Sequence, residues 1–225
     1  MKIYAHRGSS IDFPEMTMRA YKGAIDDGAD GFECDVRTTK DGQLILWHDA
    51  DMKRIAGYSG RIAEMDYMQI RRHYPEAILL DELLELTRNN KKELAIETKH
   101  PVPTGSFVEK KVMDLIAQEK VGVGITIMSF SWLAIENIRK IDSMQATVAL
   151  LGDHLTTLMR RFTSAQYLGP SVGLLRAKPE LVLEHRKLFV WTVDDADDMR
   201  FCSDNGVEVL ITNNPSFARK VLGYH

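Results

Sequence analysis

The chain has 225 residues, 44% of them hydrophobic and 27% charged, and 29 Lys and Arg against 32 Asp and Glu give a net charge of −3. This balance leaves no basic footprint for nucleic acid, and two cysteines supply neither a disulfide framework nor a thiolate metal site, so Cys34 and Cys202 read as buried reduced thiols. No uncharged run approaches the roughly 18 residues of a membrane span. Met1-Lys2-Ile3-Tyr4 leads directly into an apolar strand and leaves no room for a cleavable leader, so the expected location is cytoplasmic.

In chain order, short apolar runs alternate with helical patterns. The predicted strands are Ile3–Ala5, Gly31–Val36, Leu44–Trp47, Glu93–Ile96, Gly124–Met128, Ala146–Leu150, Ser171–Leu175, Phe189–Val193 and Glu208–Thr212. The predicted helices include Pro14 to Asp27, where Ala20, Tyr21, Ala24 and Ile25 share a face and Gly28 can cap the end. Others are Leu80–Arg88, Phe107–Glu119, Trp132–Lys140, Pro179–Arg186, Ala196–Asn205 and Pro215–Leu222. Alternation of this kind predicts a parallel sheet of βα units.

Nine strands are one too many for a (β/α)8 TIM barrel. The spacing identifies the extra one. Between Val36 and Leu44 there is no room for a crossover helix, and Thr39-Lys40-Asp41-Gly42 reads as a hairpin turn, since Asp-Gly accommodates positive φ values. Leu44–Trp47 is therefore expected to run antiparallel, as an arm of the second strand. Residues 1–225 then form a single barrel domain, with residues 49–77 as a short insertion after the arm. That insertion holds a glycine-rich stretch, Ala56 to Gly60, and a predicted short helix, Ile62–Arg72. A long loop at the C-terminal rim of a barrel either joins the active site or decorates the surface.

The chemistry-bearing residues fall at predicted strand ends. Ala5-His6-Arg7-Gly8 closes the first strand, and Arg7 offers a planar fork for a phosphate. In Gly31-Phe32-Glu33-Cys34-Asp35-Val36 the period of two puts Glu33 and Asp35 on one face. Two carboxylates on a buried face require compensation, either by Arg and Lys neighbours or by a hard cation such as Mg²⁺ or Ca²⁺. In Ala95-Ile96-Glu97-Thr98-Lys99, Glu97 and Lys99 again share a face. If that face is the interior, Glu97 becomes a third metal ligand and Lys99 can hold a phosphate oxygen. His48 ends the hairpin arm, which would carry it over the barrel mouth towards His6. Two histidines across a phosphodiester can act as an acid–base pair. The remaining histidines, His73, His100, His154, His185 and His225, have no such setting and read as solvated or structural.

In order and spacing, Ala5-His6-Arg7-Gly8, Pro14-Glu15, Gly28-Ala29-Asp30, Glu33-x-Asp35-Val36, Thr39 to Gly42 and His48-Asp49 resemble the glycerophosphodiester phosphodiesterases. So do Ile96 to Lys99, Ser129-Phe130, Trp191-Thr192-Val193 and Gly206-Val207 through Ile211-Thr212. The resemblance implies a barrel of the phosphatidylinositol-phosphodiesterase type. It implies hydrolysis of glycerophosphodiesters to glycerol 3-phosphate and an alcohol, a reaction of glycerol and lipid metabolism. By the same resemblance His6 and His48 are the catalytic pair, and Glu33, Asp35 and Glu97 hold one divalent cation, Mg²⁺ or Ca²⁺. Arg7 and Lys99 contact phosphate, and Trp191 walls the substrate pocket, although by spacing alone such a residue is more often core than ligand wall.

Three residues depart from the family's usual pattern. Met16 stands where Asn usually follows the Pro-Glu pair, which removes a polar contact near the site. Asp194 follows Trp-Thr-Val in place of Asn, and Asn213 follows Ile-Thr in place of Asp. None is a proposed ligand or catalytic histidine, so they bear on the leaving group more than on the reaction. Two other readings remain: a phospholipase D-like enzyme on lysophospholipids, with Ile55, Tyr58, Met65 and Met68 as an apolar rim, and a non-catalytic barrel that binds a phosphorylated ligand. Whether water or the neighbouring glycerol hydroxyl attacks, which histidine is the base, and the oligomeric state are left open by the residues.

Overall fold

The structure is a computed structural model that describes all residues except 102–106, 120–121, 123, 153–159, 184 and 225. Among the described residues nine strands are present: β1 Lys2–His6, β2 Gly31–Thr38, β3 Leu44–Leu46, β4 Glu93–Thr98, β5 Ile125–Ser129, β6 Ala146–Leu151, β7 Tyr167–Pro170, β8 Phe189–Val190 and β9 Val209–Thr212. Eight pair in parallel in the order β7-β6-β5-β4-β2-β1-β9-β8. Parallel bridges Leu168 to Leu188 and Ser171 to Trp191 link the two ends of that order, so the eight strands form a nearly closed barrel. β3 alone is antiparallel, with Val36, Arg37 and Thr38 opposite Leu46, Ile45 and Leu44. The turn is the expected one: Gly42 has φ +80°, and Thr39 N donates to Gln43 O at 3.0 Å.

Among the described residues the helices include α1 Met18–Asp26, α2 Lys53–Ala56, α3 Tyr67–His73, α4 Leu80–Asn89, α5 Phe107–Glu119, α6 Trp132–Ile141, α7 Val172–Ala177, α8 Ala196–Asp204 and α9 Pro215–Leu222. α1 starts later than its sequence pattern because Thr17 is the residue that caps it, its hydroxyl accepting from Ala20 N at 3.2 Å. Its buried face is Ala20, Tyr21 and Ala24. Gly8 lies against this helix with φ +84°, and a Cβ there would come within 2.6 Å of the Ala20 backbone, so only glycine fits.

Three expected elements differ. The predicted strand Ser171–Leu175 is helical: the Ser171 side chain accepts from Leu174 N and caps α7, and the strand lies just before it at Tyr167–Pro170. Pro179 to Leu183 forms a 3-10 turn rather than a helix reaching Arg186. The predicted helix Ile62–Arg72 is a 3-10 turn at Ile62–Glu64 followed by α3, which Asp66 and Gln69 open with a capping box.

Alternation along each strand sorts two layers. Ile3, Phe32, Cys34, Val36, Leu94, Ile96, Ile127, Ala149 and Leu210 belong to the apolar layers that pack the barrel against its helices. Tyr4, Ala95, Met128, Val148, Leu150, Phe189, Val209 and Ile211 fill the interior. Both cysteines are free and buried, as expected. Residues 49–77 pack their own small core, in which Trp47, Met52, Ile62, Met65 and Ile70 are buried together.

Candidate active site

Strand period and register bring the proposed site together. β1, β2 and β4 are adjacent, with His6 opposite Glu33 and Asp35 opposite Glu97. Glu33, Asp35 and Glu97 each offer an oxygen within 4.8 Å of the others, and all three are buried. His6, Arg7, Glu33, His48, Glu97, Lys99 and Trp191 line one cavity of about 110 Å³ at the C-terminal mouth. Its other wall is Met128, Phe130, Leu150 and Ile211. Asp35 lies beneath this lining and is wholly buried.

Two cations are drawn onto the carboxylates. Arg7 Nε lies 2.8 Å and Lys99 Nζ 3.1 Å from Asp35, and Lys99 Nζ is 2.7 Å from Glu97. Neither Asp35 oxygen nor Arg7 Nε completes a well-directed hydrogen bond, although all three atoms are buried. Three carboxylates against two cations leave one excess negative charge in a dry site. Burial and the neighbouring Asp35 raise the Glu33 carboxyl well above its ordinary range and push Glu97 up to about 7. For Asp35 burial acts in the same direction, but Arg7 and Lys99 outweigh it and hold the group below its ordinary value. Three carboxylates close enough to share one ion, all-oxygen donors and the surplus charge fit a hard divalent cation. A phosphodiester monoanion would neutralise the single positive charge then left.

The two histidines are tied differently. His48 Nδ1 is 2.7 Å from Asp49 Oδ1, whereas His6 Nδ1 is 2.7 Å from the amide oxygen of Asn213. In each ring only Nε2 is left for a ligand in the cavity. Burial lowers the basicity of both, and for His6 the Arg7 charge adds to that. The Arg7 backbone has φ +59°, an uncommon value for a non-glycine residue, and its guanidinium is held by Asp35 on one side and Glu15 on the other. Trp191 donates from its indole to Gly169 O at 2.7 Å and meets the Phe130 ring edge to face at 5.4 Å. It is a cavity wall by position rather than core.

Residue reasoning missed a set of supporting contacts. Arg54, on α2 of the 49–77 segment, binds Glu15 at 2.7 Å and Asp49 at 2.6 Å, so Arg7, Glu15, Arg54, Asp49 and His48 form one connected chain. No local pattern marks Arg54. Met16 has no polar role at its side chain: it is buried in the apolar layer, while its backbone donates to Arg7 O. His73 stacks on Tyr58, His100 pairs with Glu109, and exposed His185 lies elsewhere, so none of them enters the cavity. His154 and His225 lie outside the described residues.

A parallel barrel with buried carboxylates, two histidines and two cations at its C-terminal mouth is the architecture of a phosphodiesterase-type barrel. Residues 6–217 match the model of the glycerophosphoryl diester phosphodiesterase family, and the chain belongs to that family. A Mycobacterium tuberculosis protein named "Probable glycerophosphodiester phosphodiesterase 1" is 34% identical, over 95% of this chain and 89% of its own length. A glycerophosphodiester phosphodiesterase of Caldanaerobacter subterraneus is 28% identical, over 95% of this chain and 94% of its own length. The fold is shared with the glycerophosphodiester phosphodiesterase of Thermotoga maritima, with TM-score 0.84, 22% identity and 98% of both chains covered. It is shared also with an Oleispira antarctica phosphodiesterase solved with its product sn-glycerol-3-phosphate, with TM-score 0.89, 17% identity and 99% and 97% covered.

Proposed function

We propose that this protein is a metal-dependent phosphodiesterase that hydrolyses glycerophosphodiesters to glycerol 3-phosphate and an alcohol. The observation that carries this reading is one cavity lined by both His6 and His48 above the Glu33, Asp35 and Glu97 cluster. Family membership and the product bound to the Oleispira relative supply the substrate class.

Glu33, Asp35 and Glu97 are the proposed ligands of one Mg²⁺ or Ca²⁺. When bound, the cation polarises a phosphoryl oxygen and neutralises charge that develops on it. Arg7 and Lys99, already held at the cluster, turn their free donors to the phosphate. One histidine removes the proton of the attacking water or glycerol hydroxyl through Nε2, and the other donates a proton to the departing alkoxide; after attack by the glycerol hydroxyl, water opens the resulting cyclic phosphate to glycerol 3-phosphate. Trp191 and Phe130 offer apolar surface to the carbon skeleton of the substrate. We place residues 1–225 in a single domain with residues 49–77 as its insertion, acting in the cytoplasm on a small molecule rather than on nucleic acid. Among the described residues no helix is long and apolar enough to cross a membrane.

The lysophospholipid reading keeps only two of its four rim residues at the surface, Tyr58 and Met68. Met65 is buried and Ile55 packs against the small core, while Tyr58 covers His73 and Met68 stands alone at the surface. A pure phospho-ligand binder has little need for an acid–base pair such as His6 and His48. Release of glycerol 3-phosphate from glycerophosphocholine, followed with and without EDTA, tests the proposal. Turnover that EDTA abolishes and Mg²⁺ or Ca²⁺ restores is expected. Turnover indifferent to EDTA would remove the metal role, and no turnover with metal present would favour the binder.

A further inference from the structure

Asp194 and Asn213, two departures from the family's usual residues, touch each other, and Asn213 touches His6. Asn213 Nδ2 lies 2.5 Å from Asp194 Oδ2, and Asn213 Oδ1 lies 2.7 Å from His6 Nδ1. Asp194 Oδ1 also accepts from Asn213 N at 2.8 Å and from Thr212 Oγ1 at 2.9 Å, which pins the carboxylate to the end of β9. The Ser10 hydroxyl sits 2.7 Å from Asn213 Oδ1 and 2.9 Å from His6 O.

Chemistry decides which way the Asn213 amide points. A carboxylate can only accept, so the amide group facing Asp194 must be the NH2; the reverse orientation would press two oxygens together at 2.5 Å. The carbonyl oxygen therefore faces His6, and it too can only accept. Nδ1 of His6 must then carry a hydrogen. In the neutral ring this places the lone pair on Nε2, the nitrogen that points towards Glu33, 3.9 Å from Oε2.

We propose that Asp194 and Asn213 are positioning residues that act as a pair: Asp194 orients the Asn213 amide, and the amide holds His6 in its Nδ1–H tautomer with Nε2 presented to the substrate. The pair exchanges the two residue types that the family usually carries at these positions, and in this chain it makes a polar link to His6. His48 has a carboxylate as its direct partner, while His6 has an amide with the carboxylate one step further out. This inference rests on the proposed reaction only for its kinetic arm, since the tautomer is a property of the free protein.

The test is long-range ¹H–¹⁵N correlation of ¹⁵N-histidine-labelled protein above the imidazole titration range, with His6→Ala used to assign the signal. The wild type is expected to show a protonated Nδ1 and a bare Nε2 at His6. In Asp194→Ala the amide loses its anchor, so His6 is expected to show a mixture of tautomers. Its kcat should fall on the order of 10–100-fold with KM little changed, the scale on which outer partners of functional histidines act. Asp194→Asn, whose single carbonyl oxygen can serve either the Asn213 side-chain amide or the Thr212 Oγ1 and Asn213 N donors but not both, should fall between the wild type and Asp194→Ala in tautomer and in activity. A wild-type His6 protonated at Nε2 would overturn the proposal, as would a spectrum and kcat unchanged in Asp194→Ala. If Asp194→Ala does not fold, the wild-type spectrum and Asp194→Asn decide. A wild type with the expected tautomer but no glycerophosphodiester turnover would remove the proposed reaction and leave the positioning intact.

Discussion

The two sides of the barrel mouth differ in kind. β1, β2 and β4, with the β3 arm, carry His6, Arg7, Glu33, Asp35, Glu97, Lys99 and His48, whereas β5, β6 and β9 and the residues that follow β5 and β8 bring Met128, Phe130, Leu150, Trp191 and Ile211 to the same cavity. One side holds nearly all of the charge and the other nearly all of the apolar surface. The division suits a substrate that is half phosphate and half carbon skeleton: reaction belongs to one wall and fit to the other. The ions are also neighbours in register, which brings Glu33, Asp35 and Glu97 close enough for the one cation proposed to bind them. Spread around the ring they would each need their own partner.

The largest expected effect lies on the charged wall. His6→Ala or His48→Ala should lower kcat by roughly 10²–10⁴-fold, the span for losing a general acid or base. Steady-state kinetics on glycerophosphocholine measures it, and near-normal turnover in either variant would take that histidine out of the reaction.

The carboxylates come next, and their effect depends on pH. Without metal, Glu33 and Glu97 have raised values in the folded protein, Glu97 at about 7. A raised carboxyl favours the folded state below its unfolded value and loses that contribution as pH climbs through the folded value. Metal-free protein should therefore lose stability between the ordinary glutamate range and about 7. The Asp35 value is lowered, so its contribution is lost only on the acid side, outside this window. A divalent cation binds the deprotonated groups and reverses the trend. The rise in Tm on adding Mg²⁺ or Ca²⁺ is expected to be larger above this window than below it, and Glu97→Gln should flatten the difference. A Tm rise equal on both sides of the window would deny the cluster its cation.

On the apolar wall the expected effects are smaller and of another type. Trp191→Ala should raise KM by roughly 10-fold or more while kcat changes less, because removing a large apolar contact weakens binding of substrate and transition state together. Phe130→Ala, which takes away the edge-to-face partner of Trp191, should show the same signature more weakly. A collapse of kcat with KM unchanged in either variant would mean that the two walls do not divide the work.

The same division shows how much of the molecule was legible in its sequence. The charged wall was readable because strand period fixes facing: Glu33 with Asp35 and Glu97 with Lys99 follow from alternation alone, and the Asp41-Gly42 turn explains how His48 reaches the mouth. The apolar wall was not, since Met128 and Leu150 look like any interior residue. The seventh strand was misplaced because Leu174 and Leu175 form the more apolar run, while the true strand contains Gly169 and Pro170, which disfavour a strand reading. Ser171, the helix cap, was the available signal. Contacts such as Asn213 to His6, 207 positions apart, leave no local trace at all.

The smallest expected effect tests the join between the 49–77 segment and the charged wall. Arg54 is half-exposed, and ion pairs at such positions are worth at most about 1 kcal/mol because water screens them and the long side chain must be ordered. Arg54→Ala should therefore cost no more than about that in stability by denaturant unfolding. Its consequence for activity should exceed its consequence for stability. Arg54 holds Glu15, which steadies Arg7, and Asp49, which holds His48 Nδ1, so one substitution loosens the proposed phosphate contact and a proposed catalytic ring together. A several-fold loss of kcat/KM in a protein of near-normal Tm would make the segment part of the active site. Unchanged kinetics would make it a surface decoration whose ion pairs merely lie beside the site.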